Sequence, residues 1–178
     1  MPHLAVTAMG ADRPGIVAAV TGVLVEQGCN LEDTSMSILR GHFAMMLVVA
    51  GPAELSPEGL EAALAAAAEP FDLVVAVRQI DDHVPVSPAG EPWTLAVYGA
   101  DRPGIVHRVT SVLAEAEVNV TDLTTRVIGE PGRPVYAMVL AVTLPPGSSE
   151  PDVRSRLDAL AGELGVDCTL HRADADVL

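Results

Sequence analysis

Apolar and polar positions alternate over residues 3–9, where Leu4, Val6 and Ala8 share one face, so a strand opens the chain. The period then lengthens. Ile16, Val20, Val23, Leu24 and Gln27 follow helical spacing, Pro14 fits the first turn of that helix, and Gly28 supplies a left-handed stop. Residues 31–39 return to strand spacing but carry polar side chains on both faces (Glu32, Asp33, Thr34, Ser35, Ser37), as a sheet edge does. Arg40-Gly41-His42 makes a short turn. Residues 43–50 are almost wholly apolar, which predicts a central strand covered on both sides. Pro57 opens a second helix through Leu60, Leu64 and a run of alanines, and residues 71–80 form the last strand. The order β-α-β-β-α-β is the split, or ferredoxin-like, arrangement.

The second half repeats the first. Gly10-Ala11-Asp12-Arg13-Pro14-Gly15-Ile16-Val17 recurs letter for letter as Gly99-Ala100-Asp101-Arg102-Pro103-Gly104-Ile105-Val106, 89 residues on. An eight-residue identity at that spacing marks a duplicated domain. Residues 1–80 form the first copy, 81–92 a proline-bearing linker, 93–172 the second copy and 173–178 a frayed tail. In the second copy the strands are expected at 93–99, 120–128, 135–144 and 166–172. A helix carries Ile105, Val109, Val112, Leu113 and Ala116, and another spans about 152–164. Two departures stand out. Phe43 matches Tyr136 at an offset of 93 instead of 89, which places a four-residue insertion in the hairpin over 129–134. Glu117 stands where Gly28 ends the first helix, and a left-handed Glu costs about 1–2 kcal/mol, so that turn is expected to differ.

Composition narrows the function classes. The net charge is −14 at pH 7 and is shared: residues 1–89 hold 3 Arg against 11 Asp and Glu, and residues 90–178 hold 7 against 13. An evenly acidic surface repels phosphate backbones, which argues against direct nucleic-acid binding. A sheet that stacks RNA bases needs aromatics and positive charge. Here aromatics are 3% of the chain, so the faint motif at Arg40-Gly41-His42-Phe43 is set aside. Every basic residue is Arg, which removes Schiff-base catalysis and the phosphate-loop lysine. Cys29 and Cys168 have no pairing or metal spacing and read as reduced packing residues. The five histidines stand alone; His107 lies near the second copy of the motif, where the first has Ala18, and reads as an exposed helix residue. No catalytic motif, metal site or cofactor fingerprint is present, and Asp81-Asp82 reads as a solvated pair in the linker. No apolar run approaches the ~18 residues of a membrane span, and the first residues lack a basic segment, so a soluble cytoplasmic protein is expected.

A β-α-β-β-α-β unit with Asp-Arg-Pro-Gly-Ile-Val at its first turn, and Asn at the start of its second strand, resembles the ACT domain. Residues 30–36 (Asn-Leu-Glu-Asp-Thr-Ser-Met) and 41–47 (Gly-His-Phe-Ala-Met-Met-Leu) further resemble the glycine cleavage system transcriptional repressor group. The resemblance implies an α+β protein with two ferredoxin-like ACT domains in tandem, antiparallel sheets with helices on one face, and no room for a catalytic domain. It implies a free amino acid as ligand, with glycine or serine favoured, held between the turn and the second strand at an interface between paired domains. By position the candidates are Asp12, Arg13, Gly15, Ile16, Asn30 and Leu31, then Asp101, Arg102, Gly104, Ile105, Asn119 and Val120. Their chemistry suits a zwitterion. Helix-start N–H groups at Gly15 and Ile16 attract a carboxylate, the Asp12 carboxylate holds an ammonium, and Asn30 offers both a donor and an acceptor.

Structural roles compete with these. Asp12 capping its own helix would contribute about 1 kcal/mol; Gly15 could serve close packing, Asn30 could simply turn the chain, and Arg13 and Arg102 could face solvent. The expectation is a non-enzymatic amino-acid sensor, a homodimer, that modulates a partner protein, with an accessory repressor acting through a separate transcription factor as one form of that role. The alternatives are a regulatory subunit docked on a one-carbon or amino-acid metabolic enzyme, and an oligomerisation scaffold without ligand.

Overall fold

Leu4, Val6 and Ala8 point to one side of the first strand, β1 (His3–Ala11), and all three are buried, as their alternation requires. The computed structural model describes residues 1–81, 90–130 and 133–173, with the side chains at 129, 130, 133 and 134 excepted. The chain divides into two units, residues 1–84 and 85–178. The first runs β1, α1 (Ile16–Glu26), β2 (Asn30–Leu39), β3 (His42–Ala50), α2 (Pro57–Ala68), a single 3-10 turn (Glu69–Phe71) and β4 (Val74–Ile80). The second runs β5 (Glu91–Gly99), α3 (Ile105–Glu115), β6 (Asn119–Glu130), β7 (Arg133–Leu144), α4 (Glu150–Leu164) and β8 (Val166–Arg172). The expected linker falls mostly outside the described residues, as does the tail beyond Ala173.

Each unit is one antiparallel sheet, ordered β2-β3-β1-β4 and β6-β7-β5-β8. Two helices pack on one face. Ile16, Val20 and Leu24 of α1 meet Leu60 and Leu64 of α2 over Phe43, Leu47 and Val49 of β3. The second core repeats this with Ile105, Val109, Leu113, Leu157 and Leu160 over Met138, Leu140 and Val142. Ser56 caps α2 by accepting the Gly59 N–H at 3.0 Å, which with Pro57 explains why that helix starts there.

Several expectations need correction. β3 is covered on one side only: Phe43, Met45, Leu47 and Val49 are buried, but Met46 on the other face is about half exposed, beside the more exposed Met9 and Val74. An apolar strand fits a single helical layer when its second face is apolar but unroofed within the unit. α1 begins at Ile16, so Pro14 lies in the turn before it, because Gly15 is left-handed with φ 96°. The last strand starts at Val74, after the 3-10 turn and a left-handed Asp72. The insertion before Tyr136 is not spent on a longer loop alone: it extends the β6–β7 ladder by the pairs Gly129↔Pro134 and Glu130↔Arg133. The turn at Glu117 does not differ from its counterpart; Glu117 adopts φ 56° where Gly28 has 67°.

β2 is the edge strand its polar faces announced, exposed at all ten positions and bulged between Leu31 and Asp33. The tight connection from β2 to β3 puts Arg40 at φ 52° and Gly41 at 81°, the pair of positive φ values that a two-residue hairpin needs.

Candidate functional site

The repeated motif leaves β1 beside the β2–β3 hairpin. Asp12 N–H donates to Gly41 O at 2.9 Å, which ties the turn to that hairpin. Gly15 then reverses the chain into α1, and its carbonyl accepts the Ala19 N–H at 2.9 Å. No side chain caps α1, nor α3 after Gly104 at φ 92°. Asp12 and Asp101 therefore do not serve as caps, and the first-turn amides keep their partial positive charge without a side-chain acceptor. Gly15 is required by its backbone more than by packing: the nearest side-chain atoms to a Cβ there would be those of Phe71, 3.6 Å away.

A hollow of about 510 Å³ opens beside the first turn, lined by Asp12, Arg13, Gly15, Ile16, Met36 and Phe43 among others. It joins four of the six candidates of the first repeat. Met36 and Phe43 were not anticipated. They follow from register: Met36 pairs with Met45 and Ile38 with Phe43, which puts alternate residues of β2 on the helical side of the sheet. The strand periodicity held this signal, but the sequence does not say which end of β2 meets the turn.

Asn30 and Leu31 are not brought to the turn within a unit. They pair with Ala50 and Val49, whereas the hairpin end pairs Leu39 with His42. Nine strand steps separate the ends, on the order of 30 Å. Asn119 and Val120 likewise pair with Thr143 and Val142, far along β7 from Tyr136.

Arg13 and Arg102 do not simply face solvent. Arg13 Nη1 donates to Pro70 O at 3.4 Å and Arg102 Nη1 to Leu164 O at 3.3 Å, so Arg13 reaches the 3-10 turn that follows α2 and Arg102 the last residue of α4. A cation is favoured there by the carbonyls that a helix C-terminus leaves unpaired.

At the second turn Tyr136 and Thr125 take the places of Phe43 and Met36. Burial raises the Tyr136 hydroxyl above its ordinary pKa; the Thr125 side chain pulls the other way, and the Asp101 carboxylate adds to the rise. Tyr136 O–H also lies 3.8 Å from Met138 Sδ.

A larger hollow, about 680 Å³, lies at the other end of the second sheet against Trp93, Leu144, Glu91 and Arg172. Its charges are already matched: Arg172 pairs with Glu91 at 2.5 Å and stands 5.4 Å over the Trp93 ring, while Glu150 pairs with Arg154 at 2.7 Å. Among the described residues no three His, Cys, Asp or Glu side chains gather as metal ligands. No helix there is long and apolar enough to cross a membrane.

Comparison with known proteins agrees with this architecture. ACT domain family profiles match residues 2–78 and 93–162. The glycine cleavage system transcriptional repressor of Escherichia coli is 28% identical over 70% of this chain, and the chain spans 64% of that protein's length. Phosphoserine phosphatase SerB2 of Mycobacterium tuberculosis is 28% identical over 93% of the chain, which here covers 40% of the enzyme. A crystal structure of an unknown protein from Galdieria sulphuraria superposes with a TM-score of 0.82 at 29% identity, covering 97% of this chain and 99% of that one.

Proposed function

The chain belongs to the ACT domain family, in two tandem copies, and from that premise we propose that it is a non-enzymatic regulatory protein whose turns bind a small amino acid. Glycine and serine are the first ligands to test, given its kinship with the glycine cleavage repressor. The single observation carrying this reading is the uncapped helix start beside a hollow, with the Asp12 carboxylate on its wall. Amides for a carboxylate and a carboxylate for an ammonium together describe a zwitterion. Asn30 and Leu31 would join such a site through pairing of the exposed β2 edge in a homodimer.

Ligand binding favours one assembly over another and so alters contact with a partner protein. The charge of −14 turns the chain away from DNA, so repression would pass through a separate transcription factor in the cytoplasm. Calorimetry of the full chain against the twenty amino acids tests the reading. Heat with glycine or serine is expected; no heat from any of them at millimolar concentration defeats it.

A second reading, docking on a metabolic enzyme, is favoured by the SerB2 alignment, in which nearly the whole chain matches part of an enzyme. Co-purification separates the two: a transcription factor supports the first, an enzyme the second.

A further inference from the structure

The two turns share their eight-residue motif but not their walls. Register fixes the equivalences. β2 and β6 carry the same bulge, at Leu31/Asp33 and Val120/Asp122. Beyond it Met36 faces Met45 as Thr125 faces Met138, and Ile38 faces Phe43 as Val127 faces Tyr136. On the helix, His107 stands where the first unit has Ala18 in its hollow. Three wall positions therefore change together and in one direction: Ala18, Met36 and Phe43 become His107, Thr125 and Tyr136. The backbone that would hold the ammonium and carboxylate is the same in both, with Gly15 and Gly104 at φ 96° and 92° and no side-chain cap on either helix. What differs is what a ligand's side chain would meet.

We propose that the two turns select different amino acids, the first one without a side-chain hydroxyl and the second one that carries it, such as serine or threonine. This rests on the reading that the turns bind amino acids, and adds that Met36 and Phe43 against Thr125 and Tyr136 set the choice. At these three positions the first wall offers carbon and sulfur, and the Thr21 hydroxyl that also lines the hollow already donates to Val17 O at 2.8 Å, which leaves a ligand hydroxyl poorly matched. The second offers the Tyr136 and Thr125 hydroxyls at the register positions that Phe43 and Met36 hold in the first. A site built to bond a hydroxyl rejects the analogue that lacks it more strongly than an apolar site rejects the extra hydroxyl. One chain then reads two metabolites.

The test uses alanine against serine and valine against threonine, pairs that present a side chain with and without a hydroxyl at similar size. The readout is the amide chemical shifts of Gly15 and Ile16, and of Gly104 and Ile105, in the isotope-labelled full chain. The second turn is expected to prefer serine over alanine by about tenfold, the effect of one hydrogen bond, and the first to prefer alanine. Tyr136→Phe and Thr125→Val should each reduce the second turn's preference and leave the first unchanged. Thr125 is exposed, so Thr125→Val stays informative if Tyr136→Phe folds poorly. The same order of preference at both turns, or a preference that survives both substitutions, overturns the proposal while amino-acid binding stands. If neither pair of amides moves with any amino acid, the underlying reading falls and takes this one with it.

Discussion

Glu117 holds φ 56° at the position where Gly28 holds 67°, so two residues of opposite conformational preference close the same helix end. The hydrogen bonds match too: Cys29 N–H donates to Leu24 O at 2.8 Å, and Val118 N–H to Leu113 O at 2.9 Å. The ladder and core on either side impose the turn, and Glu117 takes the strain. Replacing Glu117 by Gly should relieve a left-handed cost of about 1–2 kcal/mol, partly offset by glycine's greater freedom when unfolded. A net gain of about 1 kcal/mol is expected, seen as a higher denaturant midpoint, and Gly28→Glu should move the midpoint the other way.

The first glycine of the motif has a different task. A Cβ at Gly99 would sit 2.6 Å from Val166 Cγ1 and 3.0 Å from Val166 Cα; one at Gly10 would sit 2.6 Å from Leu73 Cδ2 and 2.9 Å from Asp72 O. Backbone atoms cannot step aside as a side-chain end can. Gly99→Ala and Gly10→Ala should each destabilise by about 1–3 kcal/mol, a thermal-melting loss of several degrees.

Asp12 and Arg13 are neighbours whose substitution should separate binding from stability. Asp12 does not cap α1, so Asp12→Ala should shift stability by less than about 0.5 kcal/mol while weakening amino-acid binding. Arg13→Ala breaks an exposed bond to Pro70 O, expected to contribute about 0.5 kcal/mol, and should affect the melting temperature more than the affinity. Calorimetry and thermal melts on the same samples check both.

Cys168 should be slow to react with thiol reagents at pH 8. Burial first, then the Asp158 and Asp167 carboxylates, raise its thiol from 9.0 to about 11. Cys29 is raised by burial as well. The unfolded chain would ionise at lower pH than the folded one, so this contribution to stability is complete below pH 9 and is lost as pH rises towards 11. Melts between pH 8 and 11 should show the decline, smaller in Cys168→Ala.

Short-range patterns in the residues determined much: the β-α-β-β-α-β order, the exposed edge at β2, the duplicated motif and the helix start at Pro57 are each written in spacing or in a residue's own backbone preference. Periodicity reports which faces are apolar, because that depends on neighbours a few residues away. It cannot report what covers a face. Residues 43–50 are apolar throughout, and only the sheet order shows helices on one side and an open apolar face with Met46 on the other. The candidate site divides in the same way. Asp12, Gly15 and Ile16 were legible in the motif, whereas Met36, Phe43, Thr125 and Tyr136 entered through strand register, and Asn30 was carried to the far end of β2 by it. Register is settled by hydrogen bonds between segments distant along the chain, so it belongs to the tertiary structure alone.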